Sequence, residues 1–144
     1  VNGYTGKIEF KDSLGFYQTT TPLAIDLNGD GLDELVMSLN FQEIDENYQK
    51  FFYNTLIAIE FKSKDIVTIA STFEGNNLAS TPWIGDLDDN GFIDILYSHS
   101  TNLRHTYKFD GMKLRRIETQ FPVYKPIKWG AYQGSNYDGI FRND

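Results

Sequence analysis

Two short stretches carry side chains whose types and spacing could do chemistry together. In the first, oxygen-bearing side chains fall at Asp26, Asn28, Asp30 and Glu34; in the second they fall at Asp86, Asp88, Asn90 and Asp94. Alternate spacing in a tightly turning loop aims every second side chain at one centre. Gly31 and Gly91 allow the sharp bend that brings the main-chain carbonyl of Leu32 or Phe92 to the same point. About six hard oxygens, several of them anionic, suit calcium. Magnesium demands tighter octahedral geometry, and zinc prefers nitrogen or sulfur. Asn, Asp and Gly also make turns with no metal at all, through side-chain-to-backbone bonds and left-handed backbone. Two such stretches in register favour the metal, because carboxylates packed within a few ångströms are costly to leave unneutralised. The sequence therefore predicts two calcium sites.

An EF-hand begins in the same way but places a bidentate Glu at its twelfth position. That position is Met37 in the first stretch and Tyr97 in the second, and the flanking Leu35-Val36-Met37 and Ile95-Leu96-Tyr97 read as buried strands, not helices. The helical motif is excluded.

The elements that must position these loops emerge from an internal echo. Thr21-Pro22-Leu23-Ala24-Ile25-Asp26-Leu27 returns as Thr81-Pro82-Trp83-Ile84-Gly85-Asp86-Leu87, and the match runs on without a gap through Ser38 and Ser98. Each unit reads as four short strands: 22–25, 35–40, 53–61 and 65–73, then 82–85, 95–99, 103–109 and 112–118. The segment from Phe41 to Tyr53 is polar and irregular and is expected to be a long loop. Leu103 to Ile117 is expected to be a hairpin turning at Asp110-Gly111, with Tyr107 facing Leu114 and Lys108 opposite Lys113. A third, degenerate copy is expected near the end. There Lys125-Pro126-Ile127-Lys128-Trp129 echoes the start of a unit, and Gly130, Tyr132 and Gly134 stand where acidic ligands would be. Four strands per unit at such a period is what a propeller blade needs. The expectation is an all-β chain of two four-stranded antiparallel β-propeller blades and the start of a third, a fragment of a larger propeller. Residues 1–21 would end a preceding blade or linker, 22–81 would form one blade with its loop at 26–34, 82–125 the next with its loop at 86–94, and 126–144 the degenerate start.

Composition narrows the classes. With 40% hydrophobic residues, eleven Phe and nine Tyr, the chain of 144 residues has ample apolar area for a core. A net charge of −7 argues against nucleic acid as a partner, and no apolar run approaches the length of a membrane span. The absence of cysteine removes disulfides and thiol chemistry. The start at Val1 suggests a mature or excised piece of a longer chain. No nucleophile motif, phosphate loop or zinc-protease motif appears, so the sequence leans away from an enzyme and leaves that question open. His99 and His105 stand apart from the acidic stretches and read as structural or surface residues. Trp83 and Trp129 hold related places at the starts of units and read as packing between blades, with sugar stacking as the lesser alternative. Arg104, Lys108, Lys113, Arg115 and Arg116 read as an exposed basic hairpin face.

The strings Asp-Leu-Asn-Gly-Asp-Gly-Leu-Asp-Glu-Leu-Val, from Asp26, and Asp-Leu-Asp-Asp-Asn-Gly-Phe-Ile-Asp-Ile-Leu, from Asp86, resemble the FG-GAP/VCBS-type repeats of integrin-α-like propellers. The resemblance covers roughly residues 10 to 120. It implies calcium held in hairpin loops between the first two strands of a blade, by Asp26, Asn28, Asp30, the Leu32 carbonyl and Glu34, and by Asp86, Asp88, Asn90, the Phe92 carbonyl and Asp94. Glu34 departs from the family's usual Asp, and its longer arm would shift coordination to bidentate or through water. The Phe-Gly and Gly-Ala-Pro signatures that name the family are missing. The resemblance further implies a secreted or cell-surface module whose further blades belong to the same parent chain, and a role in adhesion or in recognising a protein or carbohydrate ligand. A propeller portion of a secreted carbohydrate-active enzyme, such as a polysaccharide lyase, and a structural subunit of a surface complex are the alternatives.

Overall fold

The apolar runs that follow Pro22 and Pro82 become the first strands of two antiparallel sheets. The computed structural model describes residues 1–15 and 20–141, so the last three positions of the expected third unit lie outside the described residues. Among them the chain is all-β, with no helix. The first sheet holds β1 (Leu23–Ile25), β2 (Glu34–Ile44), β3 (Lys50–Ile59) and β4 (Ile66–Thr68) in sequential order, with β5 (Phe73–Glu74) also paired to β3. The second holds β6 (Trp83–Gly85), β7 (Phe92–Ser100) and β8 (Met112–Pro122). The outer edge of β8 pairs with no described strand.

The opening hairpins of the two sheets share one register. Leu23, Ala24 and Ile25 lie opposite Val36, Leu35 and Glu34; Trp83, Ile84 and Gly85 lie opposite Leu96, Ile95 and Asp94. Each pair in the second hairpin is the corresponding pair of the first moved along by 60, the separation of Thr21 from Thr81, which are themselves in contact through the Thr21 N–H and the Thr81 hydroxyl at 3.3 Å. The acidic stretches are therefore the connections of two hairpins of equal geometry.

Beyond those hairpins the sheets diverge from the expected four strands each. Phe41–Tyr53 is no loop: β2 and β3 continue as paired strands to Ile44 and Lys50. Phe41 stacks on Tyr53 across the pair, with ring centroids 5.7 Å apart. The Asp45 carboxylate then closes the turn by accepting the N–H groups of Asn47 and Gln49. Aromatic cross-strand pairing and one capping carboxylate outweigh the polar composition.

The hairpin expected over Leu103–Ile117 does not form, and residues 103–109 contain no strand. Instead β8 pairs along β7, with His99 opposite Lys113 and Ser98 opposite Leu114. Lys108 therefore does not face Lys113. Gly111 has φ +149°, outside the left-handed geometry that a type I′ turn requires. The intervening loop is organised by Asn102, whose side-chain oxygen accepts from Arg104 and His105 N–H and whose amide donates to Asp110 at 2.6 Å. The strand expected at 65–73 survives only as β4 and β5.

One apolar core joins the sheets. Leu23, Ile25, Val36, Leu56 and Ala58 from the first pack with Ile84, Ile93, Ile95 and Tyr97 from the second, with Trp129 against their edge. Each fully buried aliphatic side chain contributes about 1.5–3 kcal/mol. The opposite face of the first sheet buries Leu39, Ile57 and Ile59 under Phe10 and Leu14 from the N-terminal segment, so β3 is covered on both sides. The centre of the molecule also carries a polar layer. The Tyr97 hydroxyl, fully buried and pushed up to about 12 chiefly by that burial, bonds Ser38 Oγ at 3.0 Å and donates to Asn54 Oδ1. Asn40 and Asn77 exchange two side-chain-to-backbone bonds of 2.8 Å.

The C-terminal segment returns to both first strands. The Trp129 carbonyl accepts from Ala24 N–H (3.3 Å), and the next carbonyl, of Gly130, accepts from Ile84 N–H (2.6 Å). No strand follows Trp129 among the described residues.

Candidate metal centre

Each acidic connection is wound by its own side chains. In the first, Asp26 is buried and its carboxylate accepts the N–H groups of Gly29 (2.8 Å) and Gly31 (3.0 Å), while Glu34 reaches back to Leu27 N–H at 2.7 Å. In the second, Asp86 accepts from Asn90 (3.1 Å) and Gly91 (2.8 Å), and Asp94 from Leu87 at 2.9 Å. Gly31 and Gly91 sit at φ +88° and +85°, in the left-handed region that favours glycine. Asp30 and Asn90 each accept the N–H two residues on, from Leu32 and Phe92. The loops thus match bond for bond at three places.

They differ in where the carboxylates end up. Asp86, Asp88 and Asp94 each present an oxygen, and these oxygens lie within 4.8 Å of one another. Two ligands at the ordinary calcium–oxygen distance of about 2.4 Å can be that far apart across one ion, so the donor set fits calcium. Asp26, Asp30 and Glu34 do not gather to that extent; among the described residues the second loop alone brings three acidic groups so close. Asn28 lies by Glu34, its amide 3.5 Å from Oε1, and Leu32 and Phe92 stand half-exposed at the loop exits.

Cationic side chains that the sequence reading did not place here answer the carboxylates. Lys62 meets Asp30 at 3.1 Å. Lys125 meets Asp33 at 2.9 Å and Asp26 at 3.5 Å, and donates to the Gly31 carbonyl at 3.3 Å. At the second loop one residue serves: Arg116 places Nε 3.0 Å from Asp94 Oδ1 and Nη2 3.0 Å from Asp94 Oδ2 and 2.5 Å from Asp88 Oδ2. The sequence groups Arg116 with an exposed basic hairpin face. The pairing of β8 along β7 instead sets Arg116 opposite Leu96, two residues beyond Asp94.

The electrostatics follow these contacts. The Arg116 guanidinium holds the Asp94 carboxyl below its usual range, and the two aspartates raise Arg116 in return. In the first loop Glu34 is raised, mainly by burial, with Asp26, Asp30 and Glu60 adding like charge. Asp30 is lowered by the Leu32 N–H and by Lys62, and Lys125 is raised by Asp33.

The histidines take no part. His99 packs against the rings of Phe73 and Tyr97, with centroids 5.3 and 5.9 Å away, the three rings forming one cluster. Arg115 Nε donates to its Nε2, so the ring is neutral with its proton on Nδ1, facing the Ser100 carbonyl at 3.1 Å; burial lowers its pKa in the same direction. Comparison with protein-family models, with curated proteins and with solved structures gives no match.

Proposed function

We propose that this chain is a calcium-binding β-propeller module of a secreted or surface-displayed protein, a scaffold for adhesion or for recognising a protein or glycan. The observation that carries the reading is the group Asp86, Asp88 and Asp94, whose oxygens converge within 4.8 Å on the connection between the first two strands of a sheet. Calcium supplies a divalent charge at that point. The chain's own residues orient the donors: Gly91 N–H fixes Asp86, and Leu87 N–H fixes Asp94.

The propeller reading draws on three further facts. The two sheets begin with hairpins of one register. Their first strands meet a common segment at Trp129 and Gly130, as strands lining one axis do. The first sheet is covered on both faces, as a blade between neighbours is. Among the described residues no helix is long and apolar enough to cross a membrane.

Calcium titration of the chelator-stripped chain tests the function. Saturating calcium, at about a hundred times the Kd, is expected to add roughly 2.7 kcal/mol to the unfolding free energy and so raise the melting temperature by several degrees. An unmoved melting curve, with no heat of binding up to millimolar calcium, rules the reading out.

A further inference from the structure

The two loops share a fold but not a counter-charge, and the difference traces to a single position. Val36 in β2 lies opposite Ala58; its counterpart in the second sheet, Leu96 in β7, lies opposite Arg116. Where the first unit has a methyl group, the second projects a guanidinium toward its loop. That group touches two of the three converging carboxylates, spanning both oxygens of Asp94 and reaching Asp88. Bidentate arginine–carboxylate pairing is strong and geometrically specific, unlike the single contacts that Lys62 and Lys125 make at the first loop.

An ion coordinated by Asp86, Asp88 and Asp94 shares two of its three carboxylates with Arg116, which already holds both oxygens of Asp94 and one of Asp88. Arg116 has somewhere to go. Its side chain is 30% exposed, and its Nη1 already lies 3.5 Å from the exposed carboxylate of Glu118. The guanidinium can turn outward to that partner while β8 stays paired to β7.

We propose that Arg116 is the resident cation of the second loop, holding Asp88 and Asp94 together in the absence of metal and setting, by its displacement, the calcium concentration at which that loop loads. The proposal rests on the calcium reading above and assigns to the second site a bidentate arginine competitor, where the first has only the one-oxygen contacts of Lys62 with Asp30 and Lys125 with Asp26. The second loop is then pre-organised at low calcium, and loading it releases an arginine to the surface beside Glu118.

The test compares the 144-residue chain with its Arg116→Gln and Arg116→Lys variants in calorimetric calcium titrations, alongside melting curves without calcium. Arg116→Gln is expected to tighten one site about tenfold and leave the other unchanged, to lower the calcium-free melting temperature, and to regain the loss when calcium is added. Arg116→Lys, keeping the charge without the fork, is expected to fall between. Wild-type affinities in Arg116→Gln overturn the proposal while leaving the calcium reading intact. An absence of saturable binding in every form overturns both. Should Arg116→Gln fail to fold, the Arg116 Nε–H resonance of the wild-type chain decides: saturation with calcium is expected to shift it and remove its protection from exchange, and an unmoved resonance at saturation overturns the proposal.

Discussion

The loop after β1 and the loop after β6 begin from the same backbone. Gly31 and Gly91 occupy matching places with one backbone conformation, and the carboxylates of Asp26 and Asp86 and of Glu34 and Asp94 accept matching N–H groups. Yet the second gathers its carboxylates around one guanidinium. The first leaves Glu34 buried among like charges and hands Asp26, Asp30 and Asp33 to two lysines from distant parts of the chain. Backbone geometry and charge balance are thus set by separate residues. The hairpin and its glycine fix the shape, while the strand opposite fixes the electrostatics. A repeat can conserve one and vary the other.

Neutralising one carboxylate in each loop should separate them most sharply. At neutral pH without calcium, Asp94→Asn is expected to cost about 1–3 kcal/mol, because it removes the buried carboxylate of a bidentate pair and leaves Arg116 with Asp88 and Glu118 alone. Glu34→Gln keeps an acceptor for Leu27 N–H and removes a like charge, so its stability is expected to equal or exceed wild type. Urea midpoints at constant slope measure both, and equal losses would break the contrast. A smaller effect probes the shared part. Neither Gly31 nor Gly91 has an atom within 4 Å of where a Cβ would stand, so alanine at either meets only the left-handed backbone. Each is expected to cost about 1 kcal/mol. Unequal costs would show that the two bends are not equivalent.

The smallest effect is in pH, and the loops should respond in opposite senses. Asp94 titrates below the ordinary 3.8 in the folded state, so its stabilisation is present above pH 3.8 and lost as pH falls through the folded value. The penalty of Asp94→Asn should shrink over that range. Glu34 titrates above the ordinary 4.5, so its contribution is present below pH 4.5 and fades as pH rises through the folded value. The advantage of Glu34→Gln should grow there. Stability curves of both variants in calcium-free buffer, with carboxyl carbon titrations of the wild type, check the signs.

The sequence revealed most where its pattern repeated. The echo from Thr21 and Thr81 located β1, β6 and the starts of β2 and β7, and the register of their hairpins followed from it. It also placed Asp86, Asp88 and Asp94, which the structure brings together. What stayed hidden depended on contacts between distant residues. Phe41 and Tyr53 look irregular until they are seen stacked across a pair. Asp110-Gly111 is a strong local hairpin signal, but β8 gains a full-length partner in β7, and eight registered residue pairs outweigh one favourable turn. Arg116 was hidden for the same reason. A basic residue two positions beyond a predicted ligand on a neighbouring strand is visible only when the pairing is known.

The carbonyls of Trp129 and Gly130 reach strands near the beginning and the middle of the chain. Each hairpin can close from local sequence as soon as it is made, whereas this clasp must wait until Gly130 has been made, more than a hundred residues after Ala24. Contacts between such remote positions form slowly, since a long loop must close before they return any energy. The expected order of folding is the two hairpins first and the clasp of Trp129 and Gly130 on both of them last. The clasp is also where the assembled molecule should first loosen on heating.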